Sequence, residues 1–188
     1  MRDTYTMRTS EMPEEMRFLL GTYPRDIWES HPGFKEKTRH WLGAHAMFRR
    51  VAERVRRDTE AVLNKEIALG DYVGRLSYFG DGLVRNLHGH HGWEDRSYFP
   101  ELSAADPRFD AGLELLEQDH ADLDVVLDDL TRKANRVIKL AVLDEKQALE
   151  EASAVLPAAE AIEAFLQRHL ADEEELAVPI ILHHRLRG

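Results

Sequence analysis

His90 and Glu94 stand four residues apart, and so do His169 and Glu173. On a helix that spacing stacks the two side chains on one face, a turn apart, as a chelating pair requires. His45 and His120 bring the set to four imidazoles and two carboxylates, and His91 offers a fifth imidazole beside them. The chemistry open to such a set is a metal held by nitrogen and oxygen. The 188 residues include no cysteine, which excludes thiolate sites, iron–sulfur clusters, disulfides and cysteine nucleophiles. Six donors are too many for one tetrahedral zinc ion but suit two ions bridged by the two carboxylates. The competing reading is a set of core histidines and carboxylates that satisfy one another.

The elements that must position these residues are helices. From Phe34 onward apolar residues recur every three or four positions. The rhythm predicts helices over about 34–66, 72–99, 109–140 and 144–186, with Gly70-Asp71 and Asp106-Pro107 in the links. Pro100 is expected to end the second helix, and Pro157 and Pro179 to kink or divide the fourth. The expected fold is all-α: an antiparallel up-down-up-down four-helix bundle over residues 34–188, preceded by a short N-terminal arm over 1–33 with one short helix near 13–20. Counting about 1.5 Å per residue from each turn places His45, His90, Glu94, His120, His169 and Glu173 at one depth. Each helix thus breaks its apolar seam once, in the same slab, where an unpaired polar group costs several kcal/mol. The halves also repeat: His90, Glu94 and Pro100 recur at an offset of 79 as His169, Glu173 and Pro179, and His45 recurs at an offset of 75 as His120.

These residues resemble the hemerythrin-like, or HHE cation-binding, domains. The resemblance covers about Phe34 to Leu182, most strongly His90-His91-Gly92-Trp93-Glu94-Asp95 and Tyr98-Phe99-Pro100. It implies a non-haem centre of two iron ions, carboxylate- and oxo-bridged, with His45, His90, Glu94, His120, His169 and Glu173 as metal ligands. Oxygen-carrying members have a second histidine four residues beyond the helix 3 ligand, where this chain has Asp124. His91 would restore the imidazole count from helix 2, or else lie beside the metals without touching them. Gly89 and Gly92 flank the ligands and imply tight packing or a local bulge there.

The remaining residues take ordinary readings. Trp41 and Phe48 bracket His45 and wall the site; Glu117 is a surface acid; His31, His40, His88, His183 and His184 lie off the seam; Arg49, Arg50, Arg54, Arg56 and Arg57 form a solvated face. Lys plus Arg gives 25 against 35 for Asp plus Glu, a net charge of −10 that disfavours nucleic acid as a partner. No apolar run approaches the roughly 20 residues of a membrane helix. The start of the chain, with Glu11, Glu14 and Glu15, does not read as a signal peptide, so a cytoplasmic protein is expected. The expected function is binding or sensing of O2 or a related small oxidant. The alternatives are an enzyme turning over peroxide or nitric oxide or delivering iron for repair, and passive metal binding or iron storage. The expected ligand is diatomic or a peroxide, and a protein partner or a second copy of the chain is compatible with the sequence.

Overall fold

A computed structural model describes residues 5–186; the first four residues of the expected arm and the last two of the expected bundle lie outside the described residues. The described residues are all-helical, with no strand among them. Four long helices dominate: α1 at Glu36–Leu63, α2 over residues 69–105, α3 at Asp110–Leu140 and α4 at Glu145–His184. The long fourth helix packs along both α1 and α3.

Each helix forms where the apolar rhythm places it, and the local signals explain the ends. Asp144 caps α4 by accepting the Gln147 N–H at 3.1 Å. Lys65, in the left-handed region at φ 62°, turns the chain after α1. The turn lies at residues 64–68, so Gly70 and Asp71, expected to mark it, instead stand in the first turn of α2.

The prolines behave differently from expectation. Pro100 does not end α2, which continues to Ala105. A π turn at Glu94–Tyr98 precedes it, and the Phe99 N–H reaches back five residues to the Glu94 carbonyl. That wide turn already departs from the i→i−4 ladder in which a proline would remove a bond and clash, so Pro100 costs little there. Neither Pro157 nor Pro179 divides α4, which runs unbroken with both inside it. A second π turn, at Leu76–Gly80, interrupts α2 nearer its start.

Residues 5–35 hold three single 3-10 turns, Glu14–Met16, Phe18–Gly21 and Arg25–Ile27, rather than the one short helix expected. Pro13 and Pro24 precede the first and third, where a missing N–H does no harm. The segment packs on the bundle through buried Met12, Leu19 and Trp28. Its cover explains why α4 is buried on almost every face between His169 and Leu182.

The apolar interior has two parts. The first gathers Phe48, Ala52 and Val55 of α1, Leu83 and Leu87 of α2, Leu123 to Val137 of α3 and Ala152 to Leu170 of α4. The second gathers Trp41, Tyr98, Phe99, Leu113, Leu116 and Leu176 to Leu182 with the residues before α1. His45, His91, Glu94, His120 and Glu173 fall between the two, so a polar slab separates two dry cores. Leu127 of the first core is fully buried. Leu127→Ala is expected to cost about 2–5 kcal/mol of unfolding free energy, read from urea denaturation, because the surrounding helices cannot close around the lost volume.

Candidate metal centre

All seven residues singled out from the sequence converge in this slab. His45, Glu94, His169 and Glu173 are wholly buried, and His91 and His120 are 3 % exposed. His90 alone keeps more contact with solvent, its side chain 11 % exposed. Three groups of donor atoms form, each with all its atoms within 4.8 Å of one another: His45 with His90 and Glu94; His91 with His120 and His169; and Glu94 with His120 and Glu173. Neighbouring His90 and His91 project about 100° apart on α2 and so serve different groups. Glu94 presents Oε1 to His90 at 2.9 Å and to His45 at 3.8 Å, and Oε2 to His120 at 3.8 Å. Glu173 Oε2 lies 3.5 Å from His45 Nε2 and 3.8 Å from His169 Nε2. Both carboxylates therefore stand between the two imidazole groups.

The imidazoles are oriented from behind. His45 Nδ1 faces Glu174 Oε1 at 3.1 Å, His120 Nδ1 faces Asp95 Oδ1 at 2.7 Å, and His169 Nδ1 faces Asp119 Oδ2 at 3.2 Å. A carboxylate on Nδ1 selects the tautomer with the proton there and leaves a bare lone pair on Nε2. These Nε2 atoms meet the others face on: His45 against His90 at 3.0 Å, and His120 against His169 at 3.1 Å. In the second pair both Nδ1 atoms carry protons for carboxylates, so two lone pairs oppose each other unless a cation lies between them. Two nitrogens at right angles about one ion, each about 2.1 Å from it, stand about 3.0 Å apart. The observed spacings match that figure.

The remaining orphaned atoms point the same way. Both ring nitrogens of His91, Glu94 Oε2 and both Glu173 oxygens are buried without a hydrogen-bond partner. His91 lies parallel to His120, ring centres 3.9 Å apart. Burial, with His120 and His169 nearby, holds the His91 imidazole well below its usual range, so it is neutral with a free lone pair. Burial and the neighbouring Glu94 push the Glu173 carboxyl well up. Burial would do the same to Glu94, but His45 and His90 beside it hold it well below the usual carboxylate range. The residues fit cations, which would relieve the opposed lone pairs and the two carboxylates together.

Around this centre several residues depart from what their sequence positions imply. Trp41 does more than wall the site: its indole N–H donates to Glu94 Oε1 at 2.7 Å. Asp95, Asp119 and Glu174 were not singled out, although each stands next in sequence to a candidate ligand; each serves a histidine on another helix. Arg49 does not belong to a solvated face but donates to Glu174 at 2.9 Å. Gly89 has no close neighbours to explain it, whereas Gly92 sits against Arg96 and beside the π turn. Asp124 faces outward and pairs with exposed His88 at 3.1 Å. Glu117 and His40 are exposed as expected, but His184 pairs with buried Asp106 at 3.0 Å and His31 Nδ1 accepts the Gly33 N–H at 3.0 Å.

Fold and site together define a helical protein whose core carries a cluster of histidines and glutamates able to hold a metal ion. The family model of the hemerythrin HHE cation binding domain matches residues 36–181. The chain belongs to that family, whose domains bind metal cations. Neither the curated proteins nor the solved structures compared with the chain give a match.

The buried imidazoles make a testable statement about the metal-free chain. Burial holds His169 down at about 4, against 6.5 when unfolded. Between these values the unfolded chain binds a proton that the folded chain refuses, so this contribution is complete above pH 6.5 and is lost as pH falls toward 4. Glu173, pushed the other way, contributes with opposite sign above its usual value. The His169 share is therefore read as a difference: in chelator, the melting temperature of the wild type relative to His169→Gln is expected to drop between pH 7 and pH 5. A constant difference refutes it.

Proposed function

We propose that the slab holds two iron ions and that the protein binds a small oxidant there, O2 or a peroxide. The observation that carries this reading is the division of the donors into two imidazole groups with Glu94 and Glu173 between them. His45 and His90 would hold one ion, and His91, His120 and His169 the other. Iron so held would supply the redox chemistry, one electron from each ferrous ion to the oxidant. Five imidazoles are reached through His91, although the third helix carries Asp124 where a further histidine would stand. The domain reading is that residues 34–188 form the bundle and 1–33 an arm on it, with the helices antiparallel. Supporting the latter, α1 and α3 run from the second apolar core to the first, and α2 and α4 from the first to the second. Among the described residues no helix is long and apolar enough to cross a membrane, and we assign the protein to the cytoplasm.

The chain's own residues provide the route and the surroundings. A pocket of about 540 Å³ between α1 and α2 is lined by Lys37, Trp41, His90, Trp93, Tyr98 and Glu101 and leads to His90, the least buried of the seven. The two apolar cores exclude bulk water on either side. Tyr98 is stacked on Trp93, ring centres 5.0 Å apart, and its hydroxyl is buried without a partner. Burial and the Glu173 and Glu94 carboxylates raise its pKa well above the usual range, so it keeps its proton and can donate it in a hydrogen bond. We assign it to the oxidant.

Metal analysis with optical spectra before and after air tests the reading. About two irons per chain and a new oxygen-dependent absorption band are expected. Metal without any such band would favour passive binding, and sustained consumption of peroxide or nitric oxide would favour an enzyme. Glu173→Ala is expected to empty both positions, whereas His91→Ala lowers the content to about one ion per chain, since its lone pair serves one group only. Tyr98→Phe is expected to leave the metal content unchanged and weaken binding of azide, an anionic stand-in for the oxidant, by about tenfold, the worth of one hydrogen bond to a charged group.

A further inference from the structure

The family domain begins at residue 36, yet two arginines from before it reach the groups that orient its imidazoles. Arg8 donates to Asp119 Oδ2 at 2.5 Å and Oδ1 at 3.2 Å, a two-pronged bond, and also to Asp172 at 2.8 Å. The same Asp119 Oδ2 holds His169 Nδ1. Arg25 donates to Glu174 Oε2 at 2.8 Å, while the other oxygen of Glu174 holds His45 Nδ1. The two arrangements repeat one plan. Each carboxylate receives one arginine from the bundle, Arg168 on Asp119 at 3.0 Å and Arg49 on Glu174 at 2.9 Å, and one from the preceding segment. His45 and His169 belong to different imidazole groups, so the segment grips both halves of the centre.

A carboxylate held from one side can rotate away from its imidazole. Held from two sides, it has one place to be. Charge-assisted and forked bonds from arginine fix direction as well as position. The Nδ1 proton then has a single acceptor, and the Nε2 lone pair a single direction. We propose that Arg8 and Arg25 are positioning residues of the metal centre, so that docking of the segment before α1 and tight retention of both metals are one linked equilibrium. The inference rests on the metal reading above. By reciprocity, metal in the centre also tightens the segment on the bundle.

The experiment loads the full chain with ferrous iron under anaerobic conditions and follows its release to excess chelator. The Arg8→Ala/Arg25→Ala double variant is expected to release iron about tenfold faster than the wild type, at the lower end of what loss of an outer-shell partner costs. Arg17→Ala is the control. Arg17 sits in the same segment but pairs with Glu175, Glu11 and, at 3.8 Å, Asp172, none of which touches an imidazole, and so the variant is expected to release iron at the wild-type rate. Release from Arg17→Ala as fast as from the double variant would reduce the arginines to general docking and overturn the proposal, as would a double variant indistinguishable from wild type. Should the double variant not fold, Arg8→Ala alone is measured in wild-type and Asp119→Asn backgrounds. The acceleration is expected in the first and absent in the second, and equal accelerations in both overturn the proposal. Hydrogen exchange over residues 8–28 supplies a readout independent of release, with slower exchange expected in the iron-loaded wild type than in the metal-free chain. A wild type that takes up no iron would instead overturn the metal reading, and this inference with it.

Discussion

Two imidazole nitrogens that face each other with lone pairs exposed cannot rest 3.1 Å apart without a positive charge between them. His120 and His169 are held in that relation because each ring has its other nitrogen committed to a carboxylate, Asp95 and Asp119. The remainder of the architecture follows from keeping that opposition in place. Helices supply rigidity, since a side chain on a long helix moves only if the helix does. The two apolar cores clamp the slab from both sides, so the rings cannot turn away toward water. A fold without metal stores unfavourable contacts at its centre, and the compensating energy is that of the cation.

Charge is arranged in shells that alternate in sign. Outside the imidazoles lie Asp95, Asp119 and Glu174, and outside two of these lie Arg8, Arg168, Arg25 and Arg49. Asp119 and Glu174 are nearly buried, where an unpaired carboxylate would take up a proton and lose its grip on the histidine. Desolvation pushes Glu174 up, but His45 and Arg25 bring it down to about 2, so it stays ionised. The arginines thus keep the outer acids charged, and the acids keep the rings aligned. Net acidity of the chain coexists with a surround in which Asp119 and Glu174 each face two arginines, while Glu94 and Glu173 pair with no arginine or lysine among the described residues.

Much of this was legible in the sequence, for a definite reason. The helical period is stiff enough that residues four apart must share a face, and equal distances from the turns must share a level. That logic alone brings His45, His90, Glu94, His120, His169 and Glu173 together. It fails where direction depends on a neighbour. Whether His91 points into the slab is decided by where α3 and α4 lie, and the sequence left it open. Asp95, Asp119 and Glu174 act across helices, so no spacing within one helix reveals them. Arg8 and Arg25 lie more than a hundred residues from their partners and carry no local signature. Pro100 was misread because its penalty was counted against an α-helical ladder that the chain does not use there.

The π turn at Glu94–Tyr98 has an effect beyond sparing that proline. It closes over one residue more than an α turn, so everything after it is rotated with respect to everything before. Tyr98 and Phe99, adjacent in sequence at the end of this turn, are both buried. The surplus residue is what lets one helix present His90, His91 and Glu94 to separate donor groups and still seat its far end in the second core. Shortening the helix by a single residue at this place would leave its composition and hydropathy almost untouched, yet would swing its two halves out of phase. In α2 the length of the chain, counted to the residue, is therefore as much a determinant of the centre as the identity of any ligand.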